Sequence, residues 1–130
     1  MGLATKLTRL LVLALAVLMA TPWHAFASTK ASNMVNGCEA VAEGVSEDTP
    51  QDVRLEAALC LGVIDGVVQT SISYQNRGVE PIFCLPSERI GSNQIARIVT
   101  QYMSENADKL HFSASLLVSA ALKDAFPCTE

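Results

Sequence analysis

Two histidines, two tyrosines and one tryptophan are a small supply of the side chains that most often carry acid–base chemistry or stack on ligands. His24 and Trp23 lie in an apolar N-terminal stretch, which leaves His111 as the one imidazole beyond it. A zinc site needs three or four convergent ligands, and a serine or cysteine nucleophile needs a base beside it. One isolated histidine meets neither requirement, so no catalytic residue, metal or cofactor is expected, and a structural role for His111 is the simpler reading. The chain also lacks a CxxC pair, a glycine-rich phosphate loop and a basic patch interleaved with aromatics. These absences remove the spacing signals of zinc ribbons, thioredoxin-like sites, nucleotide sites and nucleic-acid surfaces.

What is present begins with Lys6 and Arg9, followed by an apolar run over 10–20 and the small-residue pattern Ala25-Phe26-Ala27 before Ser28. That order is the pattern of a secretory signal peptide over 1–27. Thr21 and Pro22 interrupt the run short of the ~20 apolar residues that a spanning helix needs. The expectation is an exported, periplasmic domain over 28–130, with no membrane attachment after cleavage.

Basic residues are scarce in that domain. Setting aside Lys6 and Arg9 leaves 7 of the 9 basic residues against all 13 acidic ones, a formal net charge of −6. Such a balance repels nucleic acid and anionic lipid and suits a basic partner. Glu39, Glu43, Glu47, Asp48, Asp52 and Glu56 crowd together, and a solvated face explains them more simply than a docking patch.

Strand-like alternation is missing, whereas four segments carry helical periodicity. The first, about 31–43, places Met34, Cys38, Val41 and Ala42 on one face. Thr49-Pro50-Gln51-Asp52 predicts a second start, with Thr49 as cap and Pro50 at the first helical position. From 57 to 68 this second segment is apolar on nearly every side, which predicts a central helix surrounded by the others. Gly62 and Gly66, four apart, predict a face that a neighbouring helix approaches closely, and Asp65 between them would then need a partner. Asp65 also lacks a designated second carboxylate for glycosidase-type work.

Gly78, Pro81 and Pro86 mark 75–91 as an irregular connection. Ser92 is placed to cap a third helix with Ile95, Ile98, Val99, Tyr102 and Met103 inward. Ser113 is placed to cap a fourth with Ala114, Leu117, Val118, Ala121, Leu122 and Ala125 inward, ended by Pro127. The predicted fold is all-α, a small disulfide-stapled four-helix bundle.

Four cysteines in a short exported chain read as a disulfide framework with three possible connectivities. Short links make consecutive helices antiparallel. The end of the fourth helix then returns to the start of the third, bringing Cys128 to Cys84. Cys38 and Cys60 lie at similar heights in the first hairpin, at ~1.5 Å per residue. The topology therefore favours Cys38 with Cys60 and Cys84 with Cys128.

The segments CLGVIDGVVQ, IFCLPS, NQIARIVTQYM, LHFSASLLVSAAL and a final FPC, taken together, resemble the Rap/Tai family of type VI secretion immunity proteins over about 38–128. Cys60, Gly62, Gly66, Cys84, Pro86, Gln94, Tyr102, His111, Phe126, Pro127 and Cys128 are among the residues that carry the likeness. Val63 stands where the family usually has an aromatic, Gln69 where an acid is common and Ala107 where proline is usual, differences that bear on which partner is recognised. The resemblance implies small helical periplasmic proteins, often homodimeric, that bind a peptidoglycan-cleaving amidase effector and block its active site.

On that reading the longest irregular connection is the expected inserting element, with Gln75, Asn76, Arg77 and Glu80 as partner-binding residues. The competing expectation is a small helical periplasmic stress or chaperone-like protein, against which a single histidine and a short supply of exposed apolar surface weigh. A small hydrolase is disfavoured by the missing base.

Overall fold

The computed structural model describes residues 29–128, together with the isolated Gly2. The expected signal peptide over 1–27 lies outside the described residues, Gly2 aside. Helix α1 spans Val35–Glu43 after a 3₁₀ turn at Ala31–Met34. Helix α2 spans Gln51–Asn76, α3 Ser92–Glu105 and α4 Ala114–Ala125, with a second 3₁₀ turn at Ala107–Lys109 between the last two. Among the described residues there is no strand; one isolated antiparallel bridge joins Lys30 to Ser113.

One core binds the four helices. Met34, Cys38 and Val41 meet Ala57, Cys60 and Ile64 of α2, Val99 and Met103 of α3, and Leu117, Val118 and Leu122 of α4. The inward sets of α3 and α4 follow the predicted periodicity closely. Ala125 is the exception: it is exposed, because α4 ends there and its last turn passes beyond the core.

The central element differs from expectation. α2 has only Ala57, Cys60, Ile64 and Ser71 buried along its 26 residues. The short α1 instead lies at the middle, packed most extensively against α2 and α3. Its Gly37 makes this possible, since a Cβ at that position would stand only 2.2 Å from the Glu56 carbonyl oxygen. The close helix crossing is therefore at Gly37, and not at Gly62 or Gly66, where an added Cβ would meet nothing within 4 Å. Arg97 reinforces the other side of α1 by donating from Nε to the Ala42 carbonyl at 3.1 Å, a cation at a helix C-terminus.

By length and composition α2 could also cross a membrane. Its apolar character has another outlet, because one stripe faces the core and is tied to α1 by the Cys38–Cys60 disulfide. The second disulfide joins Cys84 to Cys128. Both pairings match the topological expectation.

Helix ends depart from the predicted caps by a residue. Pro50, not Thr49, precedes α2, because the Thr49 hydroxyl accepts from the Ser46 backbone N–H at 3.0 Å within the preceding turn. Gly91, not Ser92, precedes α3, whereas Ser113 does precede α4. At α4 no side chain caps the helix; the Ala114 N–H donates to the Thr29 carbonyl at 2.7 Å. The Ala31 N–H donates to Phe112 O at 2.9 Å and the Ser32 N–H to Leu110 O at 3.0 Å, so residues 29–32 are built into the α3–α4 turn.

The two kinds of glycine separate in a substitution experiment. Gly37→Ala should cost about 1–3 kcal/mol, because the obstacle is backbone, and lower Tm by roughly 4–8 °C per kcal/mol in a domain of this size. Gly62→Ala and Gly66→Ala should each raise the stability of dilute protein by roughly 0.5–1 kcal/mol through helix propensity alone. Thermal melts followed by circular dichroism check both signs.

Candidate functional site

Three of the four residues expected on a loop, Gln75, Asn76 and Arg77, lie at a helix end, and Glu80 follows it. Gln75 and Asn76 form the last turn of α2, Arg77 is its C-cap, and Gly78 adopts φ 69°, in the left-handed region. The Gly78 N–H donates to Gln75 O at 3.1 Å and the Val79 N–H to Tyr74 O at 2.9 Å. This pair of bonds is a Schellman closure, which satisfies the free carbonyls of the helix end and fixes the direction in which the chain leaves. Gln75, Asn76, Arg77 and Glu80 all come out exposed at this tip. The irregular connection is thus 77–91, two residues shorter than expected.

Past the tip the chain is pinned. Phe83 is fully buried in the common core, the Ser71 hydroxyl donates to its carbonyl at 3.0 Å, and the Cys84 N–H donates to Phe126 O at 2.9 Å. Ser71 is the one buried polar side chain among the described residues, and this bond satisfies it. Neither Ser71 nor Phe83 stood out in the sequence. The short apolar run Ile82-Phe83-Cys84-Leu85 between two prolines was the available signal for Phe83; Ser71 had none, because its role depends on a residue twelve positions away. Glu80, Pro81 and Ile82 share a groove with Lys123, Asp124, Pro127 and Cys128 at the end of α4, so the tip continues into the base of the second disulfide.

A second feature lies along the flank of α2. Gly62, Val63, Gly66, Val67 and Thr70 form one wall of an apolar groove of about 380 Å³, with Ser115 and Ser119 of α4 opposite and Ile82 at one end. Leu55 and Leu59 on α2, and Phe112 and Leu116 by α4, are exposed as well, Leu55 to 66% and Leu116 to 54%. The expectation of little exposed apolar surface is overturned. α2 is about twice as long as α3 or α4, so the bundle leaves part of its apolar circumference uncovered.

Asp65 is exposed, not held across a helix contact; it borders a shallow groove with Leu61, Ile64, Val68, Ile90, Ser92 and Ile95. His111 is exposed too, with Nδ1 2.9 Å from Asp108 O and its ring against Phe112 at a centroid distance of 4.1 Å. It lies in the α3–α4 turn, and among the described residues no nucleophile or carboxylate hydrogen-bonds to it. Among the described residues no three His, Cys, Asp or Glu side chains group as a cation site. The acidic residues Glu39, Glu43, Glu47, Asp48 and Asp52 are exposed around the α1–α2 turn.

The structure presents a polar tip beside a groove, and an apolar flank. No curated protein and no solved structure matches the chain significantly. The family model described as Rap1a immunity proteins matches residues 30–128, from the segment that caps α4 to the second cysteine of the outer disulfide, and the chain belongs to that family.

Proposed function

We propose that this immunity-family protein is exported by a signal peptide over 1–27 to the periplasm, where residues 28–130 bind a peptidoglycan-cleaving amidase effector of type VI secretion and occlude its active site without catalysing a reaction. The observation that carries this reading is the family match over nearly the whole folded region. The geometry of the α2 tip supports it. Gln75, Asn76, Arg77 and Glu80 project from a helix end that is closed by backbone bonds and followed by the buried anchor Phe83. An element held in its bound shape before contact loses little conformational entropy on binding, which is how a small inhibitor gains affinity. The mixed charge of the tip, with Arg77 and Glu80 three residues apart, supplies orientation and not bulk attraction.

We further propose that the apolar flank of α2 is covered by a second copy of the chain. Gly62 and Gly66 straddle the middle of a helix spanning Gln51–Asn76, so an antiparallel crossing about that point brings the same patch of each copy together, as a two-fold interface requires. The absent side chains let the two backbones approach, and Leu55, Leu59 and Ile82 would be covered at the margins. The exposed apolar surface is also the observation that favours the stress or chaperone-like reading, and the oligomeric state separates the two.

Periplasmic expression of a cognate amidase should lyse cells, and co-expression of this protein should prevent it; lysis unchanged by co-expression rejects immunity for that pair. Replacing Arg77 and Glu80 together by alanine should weaken capture of the amidase roughly tenfold or more if they are central contacts, with the melting temperature little altered because both side chains are exposed. Unchanged capture moves the binding site elsewhere. Gly62→Leu and Gly66→Leu, which meet open space within one copy, should convert a dimer to monomer in light scattering. A wild-type protein that is already monomeric and suppresses aggregation of unfolded clients favours the chaperone-like reading.

A further inference from the structure

We propose that Cys84–Cys128 is an exchangeable disulfide, a redox modification site that a dithiol opens in the folded protein, and that the oxidised, disulfide form of the same reagent closes again, while Cys38–Cys60 stays intact. The two bridges sit in opposite surroundings. Cys38 and Cys60 are both 0% exposed, beneath the crossing of α1 on α2. Cys128 is exposed and Cys84 half-buried, and Cys128 lines the groove formed with Glu80, Pro81, Ile82, Lys123, Asp124 and Pro127. Thiol–disulfide exchange requires an incoming thiolate to reach a sulfur. At the inner bridge that contact needs the core to come apart; at the outer one the approach is already open. Lys123 in the same groove draws a thiolate in, and Glu80 and Asp124 oppose it, so the groove carries no decisive net field of its own.

The structure also keeps the consequence of opening local. Phe83 remains in the core, and the Ser71 bond to its carbonyl and the Cys84 N–H bond to Phe126 O do not depend on the sulfurs. What is released is the tether between the 77–91 connection and residues 127–128, next to the tip of α2. In the reaction one thiolate of the dithiol attacks Cys128 Sγ, forming a mixed disulfide as the bond to Cys84 Sγ breaks; the Cys84 thiolate takes a proton from water. The second thiol of the reagent, as its thiolate, then attacks its partner sulfur, releasing Cys128 as a thiolate that is protonated in turn. The protein gains two thiols, and the dithiol is oxidised to a disulfide.

The test needs no partner protein and is independent of the immunity reading. Folded protein without denaturant is exposed to dithiothreitol, quenched with iodoacetamide at intervals and mapped by peptide mass. Carbamidomethyl groups should appear on Cys84 and Cys128 at least about 100-fold faster than on Cys38 and Cys60, since the globally unfolded form is populated only at roughly 10⁻³ or below. The far-ultraviolet circular dichroism should stay unchanged through the first step. Labelling of all four cysteines at one rate, or of none until urea is added, overturns the proposal. A Cys84→Ser, Cys128→Ser double variant gives a second reading: it should remain helical with its inner bridge as resistant as in the parent, and its collapse to an unfolded chain would equally overturn the claim.

Discussion

The crossing of α1 on α2 at Gly37 is the contact on which the other features depend. Backbone lies on backbone there, with the Glu56 carbonyl occupying the space a side chain would take. Such an approach places Cys38 and Cys60 within bonding distance and lets a helix of only nine residues occupy the centre of the molecule. A bridge closing a loop of 22 residues contributes about 3 kcal/mol by the chain-entropy account. That is a large share of the stability of a domain this small, and it acts at the element least able to form alone, because isolated helices below ~12 residues are marginal in water.

A short central helix has a geometric consequence for its long neighbour. α2 runs about 39 Å at 1.5 Å per residue, and α1 covers only the part around Ala57 to Ile64. Beyond that part Val67 and Val68 pack against the core, and the last turns are tied down by Ser71, which donates to the carbonyl of the buried Phe83. The α2 tip is therefore both remote from the centre and rigidly attached. Its opposite flank is left apolar and open, with Gly62 and Gly66 facing out.

Helix number, the inward sets of α3 and α4 and both disulfide pairings were legible in the sequence, because each rests on local periodicity or on antiparallel hairpins with short links. The position of α2 was not. An apolar circumference means burial, but it does not say by what: in Leu55, Leu59 and the Gly62–Gly66 stripe the hydrophobic pattern reports a surface that the monomer leaves uncovered. The true close approach at Gly37 was hidden for the opposite reason, since a lone glycine in the weakest helix carries no periodic signal. Two caps fell one residue off: at α2 the Thr49 hydroxyl is engaged by the Ser46 N–H, and α3 starts after Gly91. Ser113 does precede α4, but there a backbone acceptor, Thr29 O, takes the first helical N–H, and no side chain caps the helix. The four tip residues are singled out by loop length and polarity alone, whereas the direction of the chain there comes from the Schellman closure at Gly78, which only the backbone reveals.

The same division between scaffold and surface would let a domain of the proposed function change partner without losing its fold. Gln75, Asn76, Arg77 and Glu80 are exposed and contribute nothing to the core. The positions where the resemblance implies a departure are Val63, partly buried where it lines the α2–α4 groove, Gln69, exposed on α2, and Ala107, which opens the exposed 3₁₀ turn. Substitutions at exposed Gln69 and Ala107 cost little stability, because they remove no buried contact. Gly37, Cys38, Cys60, Ser71 and Phe83 form the complementary set, in which each residue fills a space or satisfies a group that no other residue in the chain can. On the proposed reading, recognition can drift over the first set because the second holds the helix tip and flank in place, and that separation is what a small, doubly stapled, acidic bundle provides.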